Sequence, residues 1–484
     1  DGTVQYRTKA ITPGYRFNVD RNQITAIESD SVVSTAMNFR EHQVYLRSND
    51  TLAYSFFGNA SWRQDKFPLK GNLLPSTRAF TTNYGLENKF GLHEVKGTFS
   101  FRKLTHLSEN LPEETSIMGR LDYRSNLSDN NIRNELSYAI GNGRELRREF
   151  VFLPVPTGDG THTWRDDNGD GIKQLHEFYL AMNPEEKNFI KIFVPTDEYI
   201  LAYTTLFNYR LNAKFPDNWR NKNGLKLLLQ KFSTTTSWNV EKKVLARDFL
   251  SRVSPFTKGL GNEDLLSTRQ TFRSTVFFNR SSPRYGFDAS VFNSQHKQLL
   301  SGGFEDVVQK DWKINTRYNF NQAFNLQMSI NNGTRMAASD FLDNRNYEVE
   351  QYSFGPEIIW QPTSFLRGST GYSYTHKKNL ANREMDEKAA LNQFGLNVRY
   401  AKAIKTTLNA QLKYTNISYN GKINSPTGYE MLQALTVGDN YIWRVNWLQK
   451  IGEGLQLNMT YEGRDSEGLD RLVHSGRMQL SALF

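Results

Sequence analysis

The chain has 484 residues, with 60 lysines and arginines against 50 aspartates and glutamates, a formal charge of +10 and no cysteine. The missing cysteine excludes a disulfide framework, a zinc–thiolate site and a cysteine nucleophile. The longest apolar runs are a few residues, far short of the ~20 that a membrane helix needs, which excludes a helical membrane protein.

Aromatic residues make up 13% of the chain while all hydrophobic residues reach only 38%. An ordinary core is built mostly from leucine, valine and isoleucine. Aromatics set among small polar residues suit a sheet with one polar face, one lipid face and aromatic girdles.

Residue 1 is Asp, followed by Gly-Thr-Val-Gln, and this start is not expected to be that of a signal peptide. The chain is therefore expected to be a mature chain or a piece of a longer one. Residues 1–30 are assigned as an N-terminal segment, either a first strand within 4–28 or the tail of an upstream periplasmic domain. Residues 31–484 are assigned to the barrel.

In chain order, short links are expected near Arg47–Thr51, Leu86–Glu94, Asn126–Asn131, Arg280–Gly286, Asn319–Asn325, Gln361–Ser364, Ala401–Lys405 and Ile451–Gly454, with a slightly longer one over Pro216–Gly224. Long polar segments alternate with them. These are Arg63–Thr77, Leu104–Ser116, Pro154–Glu198, Lys243–Ser267, Ser294–Val308, Ala337–Tyr347, His376–Lys388, Asn416–Asp439 and Gly463–Asp470. Short turns on one side and long loops on the other distinguish outer-membrane barrels, with the short side periplasmic and the long side extracellular.

Between the links the period is two. Tyr203, Thr205, Phe207, Tyr209 and Leu211 oppose Thr204, Asn208 and Arg210, with Leu206 as the exception. Trp312, Ile314, Thr316, Tyr318 and Phe320 oppose Lys313, Asn315, Arg317 and Asn319. Phe394, Leu396, Val398 and Tyr400 oppose Gly395, Asn397 and Arg399. Leu408, Ala410, Leu412 and Tyr414 oppose Asn409, Gln411 and Lys413. Trp443, Val445 and Trp447 alternate with Arg444 and Asn446, and Leu455, Leu457, Met459 and Tyr461 with Gln456, Asn458, Thr460 and Glu462. At the C-terminus Met478, Leu480, Ala482 and Phe484 oppose Arg477, Gln479 and Ser481. Strict alternation is what a strand between two solvents requires. Runs of about 8–12 residues match a tilted barrel strand and exceed the usual soluble strand. No repeat of roughly 40 residues suggests a propeller.

The expected fold class is therefore all-β, a transmembrane antiparallel β-barrel of about 18–20 strands, since single-chain bacterial barrels have even counts. An open edge is not tolerated in lipid, so the sheet is expected to close. The terminal pattern Met478, Leu480, Ala482, Phe484 resembles the signal recognised by the barrel-assembly machinery. That machinery and outer-membrane lipid are the partners it implies.

One motif carries coordination chemistry, within the extracellular insertion 154–198. Asp166-Asp167-Asn168-Gly169-Asp170-Gly171-Ile172-Lys173-Gln174-Leu175-His176-Glu177 matches the EF-hand calcium loop. Asp166, Asn168 and Asp170 stand at positions 1, 3 and 5, with Gly171 at the sharp turn. Ile172 offers a backbone carbonyl, Gln174 acts directly or through water, and Glu177 is the bidentate ligand of a Ca2+ ion. No convincing entering helix precedes the loop, and no second loop pairs with it. A staple that rigidifies an exposed loop is therefore expected, with a polar turn as the alternative.

Other chemistry is weaker. The eight histidines are scattered, with no HExxH. His106 and His162 fit solvated loops better than zinc. There is no G-x-S-x-G, and Gly158-Asp159-Gly160 lacks the strand and helix of a phosphate cradle. Arg220, Lys222 and Lys226 form a basic cluster, either a solvated turn or a contact for acidic partners. The polar-face cations Arg210, Lys313, Arg317, Arg399, Lys413, Arg444 and Arg477 suggest a basic lumen that favours anionic solutes or fixes an acidic plug. They alternate with lipid-type residues and form no single patch, so no nucleic-acid partner is expected.

The words Trp164-Arg165-Asp166-Asp167-Asn168-Gly169-Asp170-Gly171, Gln174-Leu175-His176-Glu177-Phe178 and Ile192-Phe193-Val194-Pro195-Thr196-Asp197-Glu198-Tyr199 resemble large outer-membrane barrel proteins of the Bacteroidota. With the barrel-like remainder, the resemblance spans roughly residues 120–484. It implies an outer-membrane location, a large upstream region and no catalytic site. It also implies a role beside surface-lipoprotein, secretion or barrel-assembly complexes. The TonB-dependent transporters are a poorer match, since neither their plug nor their energy-coupling box is found. The first expectation is thus a non-enzymatic subunit or scaffold of an envelope export or assembly complex, with protein or lipoprotein partners. The alternatives are a channel or transporter with a basic lumen and a barrel-embedded hydrolase.

Overall fold

The computed structural model describes all residues except 26–31, 34, 50–51, 53, 70, 108–112, 246–247, 257–260, 262–263, 301–302, 341–345, 382–385, 403–404, 453, 470–471 and 483–484, together with some side chains within strands and helices. Phe484 therefore lies outside the described residues.

One antiparallel sheet of 23 strands dominates. It comprises β1 (Gly2–Gln5), β2 (Ile11–Asn22), β3 (Met37–Ser48), β4 (Tyr54–Leu69), β5 (Asn72–Phe90), β6 (His93–His106), β7 (Glu114–Leu127) and β8 (Ile132–Pro154). Then follow β9 (His162–Trp164), β10 (Phe178–Leu180), β11 (Phe189–Lys214), β12 (Phe232–Val244), β13 (Leu265–Phe278), β14 (Tyr285–Leu300), β15 (Gly303–Asn319) and β16 (Phe324–Ser339). The last are β17 (Tyr347–Trp360), β18 (Leu366–Asn379), β19 (Lys388–Lys402), β20 (Thr406–Tyr419), β21 (Gly438–Ile451), β22 (Leu455–Ser466) and β23 (Val473–Ala482). Helices α1 (Leu225–Leu229), α2 (Phe249–Val253) and α3 (Pro426–Leu432) are short. No helix of the described residues is long and apolar enough to cross a membrane.

β1, β9 and β10 have three or four residues, and the other twenty strands have ten or more. That agrees with the upper end of the expected count. β2 falls inside residues 1–30 and pairs with β3 from Ile11↔Ser48 to Asn22↔Met37, so the sheet begins before residue 31. The fold class is the all-β, up-and-down antiparallel sheet of the outer-membrane barrel type. Consecutive strands pair from β2 to β8 and from β14 to β23.

Two long polar segments are corrected. Ser294–Val308 is mostly strand, because β14 and β15 stay paired to Leu300↔Gly303. Arg63–Thr77 is likewise strand, with β4 and β5 paired to Leu69↔Asn72 across a bulge between Asp65 and Lys66. Backbone pairing needs no apolar alternation once a ribbon stands in water, so polar composition hides these extensions. Conversely, Pro216–Gly224 lengthens, since β12 begins only at Phe232 and a 3-10 turn (Asp217–Asn221) and α1 occupy the link.

The chain forms two compact units, the first of residues 1–145, 199–216 and 237–268, the second of 146–198, 217–236 and 269–484. In the second unit the expected alternation holds. Trp312 is 67% exposed, Phe394 52%, Met478 70% and Leu480 62%. Met478 and Leu480 oppose Met459 and Leu457 on β22, which makes one continuous apolar face.

The opposite face is polar along most of each strand but turns apolar toward the long-loop end. There Val349, Ala389, Leu391 and Ile417 form a buried cluster with Met431, Leu432 and Leu435 from α3 and its C-terminal end. Ser425 caps α3 by accepting the Gly428 amide at 2.9 Å, and Pro426 is preset for the first turn. At the far end Gln433 and Ala434 adopt positive φ (56° and 59°), which stops the helix. Lys377, fully buried, donates from Nζ to the Glu430 carbonyl at 2.6 Å.

In the first unit the polar face carries mixed charge. Arg120 pairs with Asp122 at 2.7 Å, Lys96 with Glu87 at 3.6 Å and Arg124 with Glu135 at 4.0 Å. Arg210 lines the same hollow of 610 Å3 as these arginines.

Candidate site: the insertion on the polar face

The insertion between β8 and β11 folds back as a small hairpin. β9 pairs with β10 through Phe178↔Trp164, Tyr179↔Thr163 and Leu180↔His162. Its base is an aromatic cluster. Phe178 stacks on Phe152 at 4.2 Å between centroids and meets Phe189 edge-on at 5.0 Å. Apolar rings give this polar segment a core of its own. The amides of Gly158 and Gly160 both donate to the Lys187 carbonyl at 3.0 Å, closing the hairpin at its root.

The calcium-type motif forms the hairpin loop. Asp166, Asp170 and Glu177 each place a carboxylate oxygen within 4.8 Å of the others. That spacing suits oxygens sharing one ion at about 2.3–2.6 Å each. Asp166 Oδ1 accepts the Gly169 amide at 2.6 Å and its Oδ2 the Gly171 amide at 2.8 Å. Gly171 has φ +71°, the left-handed turn that the motif needs at this position. Asn168 and Gln174 turn their amide nitrogens to Asp170 Oδ2 at 2.9 and 2.6 Å, so their oxygens engage an ion only after an amide flip. Ile172 donates its amide to Asp170 Oδ1 at 2.7 Å and leaves its side chain 63% exposed. Glu177 is fully buried, and its Oε2 accepts Trp164 Nε1 at 2.8 Å.

The hairpin is anchored to the polar face of β22 and β23. Arg464 reaches Glu185 at 3.3 Å and Glu186 at 3.5 Å, with all three side chains 17% exposed or less. Arg477 reaches Asp159 at 2.9 Å, but this pair is largely exposed. A second contact joins the hairpin to α3. Tyr429 donates to the Leu180 carbonyl at 3.1 Å, and its ring lies 4.8 Å from that of Tyr179. The Arg165 guanidinium lies 5.1 Å from the Tyr429 ring centroid. At the root of the hairpin, Lys191 pairs with Glu305 at 3.0 Å.

Two ionisations are shifted here. Burial holds the Glu186 carboxyl above its ordinary range, against the pull of Arg464 and Arg165. Burial, reinforced by the Glu186 charge, pushes the Tyr429 phenol up to about 12. The phenol therefore stays a neutral donor.

The expected polar-face cations divide by partner. Arg444 pairs with Glu462 and Arg477 with Asp159. Arg317 donates to the Ser282 carbonyl at 2.8 Å. Lys313 is exposed, and Lys413 lies within β20. Arg399 lines a hollow of 380 Å3 over β18–β21.

Several anchors were not singled out by the sequence pattern, namely Arg464, Glu185, Glu186, Tyr179 and Tyr429. The available signal was chemical. Glu185-Glu186 follows Asn183-Pro184 as an acidic pair inside the insertion, on a face otherwise rich in arginine.

No family model matches the chain, and no curated protein matches it. Among solved structures it is similar to the siderophore receptor PirA from Pseudomonas aeruginosa, at 11% identity, TM-score 0.39, covering 98% of this chain and 73% of that one. It is also similar to the FrpB iron transporter from Neisseria meningitidis, at 9% identity, TM-score 0.36, covering 95% and 73%. A third is the ferric-catecholate import receptor Fiu from Escherichia coli K12, at 7% identity, TM-score 0.33, covering 95% and 74%.

Proposed function

We propose that this chain is an outer-membrane β-barrel that passes solutes along its polar face under the control of the inserted hairpin. The membrane location is supported by the exposed apolar face, which runs from Trp312 to Leu480. Soluble proteins rarely expose a contiguous apolar surface of that extent. In lipid an unpaired strand edge costs several kcal/mol per backbone group, which favours a closed sheet. A barrel of more than 16 strands encloses an aqueous channel unless something fills it.

One observation carries the control reading. The hairpin is held against the polar face by Arg464, buried with Glu185 and Glu186. A hairpin held there would stand in the way of a solute moving along that face. The same observation favours passage over the assembly-complex role, which calls for loops that project toward partners.

Calcium is part of this proposal. The donor set of Asp166, Asp170 and Glu177 fits a hard cation, and the ion would stiffen the hairpin tip through Trp164 and Glu177. The test is single-channel conductance in planar bilayers. The intact chain is expected to conduct poorly, and a chain lacking 158–187 to conduct in large steps. Equal conductance of the two would refute control by the hairpin.

A further inference from the structure

The polar face of β18–β21 carries a cluster of arginines and amides of which, among the described residues, only Arg444 has a carboxylate partner, Glu462. The register assembles it. Arg367 pairs with Arg399, Arg399 with Asn409, and Asn409 with Asn446, which forms one row across four strands. In the adjacent row Asn397 pairs with Gln411, and Gln411 with Arg444. Together they line the 380 Å3 hollow, and no carboxylate is among the lining residues.

The pairing of Arg367 with Arg399 is the unusual part. Like charges directly opposite each other on neighbouring strands destabilise a sheet. Other arginines on the polar face of this unit have partners: Arg335 has Asp311 at 3.1 Å, Arg464 has Glu185, Arg317 has the Ser282 carbonyl, and Arg444, at the edge of the hollow, has Glu462. Among the described residues Arg367 and Arg399 have none. Glu357, on β17, stands opposite Gly371 and outside the lining. Among the described residues no carboxylate is hydrogen-bonded to the side chains of Asn397, Asn409 or Gln411.

Two facing guanidinium forks ringed by amide donors match a group with several acceptor oxygens and negative charge. A tetrahedral oxyanion can accept from both forks and from amides at once, whereas a single planar carboxylate satisfies one fork. The volume exceeds that of a bare anion and suits a small esterified solute. We propose that this hollow binds the phosphate group of a small solute, with Arg367 and Arg399 as its principal ligands. The proposal rests on the reading of the polar face as the solute path, but its test does not depend on passage.

The full chain in detergent micelles is titrated with inorganic phosphate and with glycerol 3-phosphate by isothermal calorimetry, with succinate as the planar dicarboxylate control. Saturable binding of either phosphate is expected, weakened about tenfold or more in Arg367→Gln and in Arg399→Gln. Lys313→Gln removes the same charge from the same face outside the hollow and is expected to bind as the parent does. Heat-modifiable migration verifies that each variant is folded. Three results would each overturn the assignment: no saturable phosphate binding to the folded parent, equal weakening by Lys313→Gln, or succinate binding as tightly as phosphate. Binding without conductance in the hairpin-deleted chain would leave the site standing and remove the passage reading. Conductance without binding would do the reverse.

Discussion

Replacing Arg464 by methionine tests the hairpin latch most directly. Methionine keeps much of the side-chain volume and removes the charge. Glu185 and Glu186, 14% and 17% exposed beside a position only 11% exposed, would then lose their direct ion-pair partner and keep only the pull of Arg165 on Glu186. Breaking a buried pair by removing one partner costs about 3–5 kcal/mol, because the remaining charge is stranded. The pocket keeps some water, so the lower figure, about 3 kcal/mol, is the better choice. That corresponds to roughly a hundredfold rise in the open population of the hairpin. The exposed Arg477–Asp159 pair is worth at most about 1 kcal/mol, so Arg477→Met should shift the same equilibrium fivefold or less. Hydrogen exchange at the Gly158, Gly160 and Asn188 amides, which close the root of the hairpin, reads the opening. The reasoning fails if Arg464→Met leaves their protection unchanged. It also fails if the cycle with Glu185→Gln and Glu186→Gln gives no coupling.

Three further outcomes are expected. Glu186 has a raised carboxyl pKa when docked, so docking is favoured below the ordinary carboxylate value and weakens as pH rises through the raised one. Spin-label distances between the hairpin and β22 should therefore lengthen with pH in the parent and lose that dependence in Glu186→Gln. Calcium added to chelator-treated protein should change Trp164 emission near millimolar concentration, as extracellular sites do. Asp170→Asn and Glu177→Gln should abolish the change, and a silent Trp164 in the parent would remove the ion from the proposal. Met431→Ala, at a fully buried position under α3, should cost about 2–5 kcal/mol of local stability. Protease cleavage within 420–437 would register it, and unchanged resistance would contradict the packing.

The fold was legible because a sheet between two solvents imposes its period on every residue. Trp312, Phe394 and Met478 announce their face by alternation alone, and the structure exposes each of them. Loop lengths were less legible. Ser294–Val308 contains Gln295, His296, Lys297 and Gln298, whose polarity imitates a loop, yet each has a partner across the ribbon on β15. Hydrogen-bonded ribbons beyond the membrane leave no hydropathy signal, because both faces meet water. The clustering of Asp166, Asp170 and Glu177 was readable from spacing, since all three lie within twelve consecutive residues. The latch was not, because Glu186 and Arg464 stand 278 residues apart.

The latch nevertheless left a trace in the pattern, at the positions where alternation fails. Val349, Leu391 and Ile417 fall on the polar face and near the long-loop end of their strands. Apolar side chains there have no lipid to meet, and water penalises their exposure by about 25 cal/mol per Å2. Something from the same chain must therefore cover them, and the adjoining link between β20 and β21 supplies Met431, Leu432 and Leu435. Once α3 is fixed, its Tyr429 packs against Tyr179 and donates to the Leu180 carbonyl. The inward fold of the insertion thus follows from a cap that the strands themselves require. The uncapped remainder of that face stays polar down to the short turns, where Arg367 and Arg399 oppose each other without a counter-ion. A face covered by α3 at one end and carrying unmatched charge at the other is what the proposed passage and binding of an anion call for.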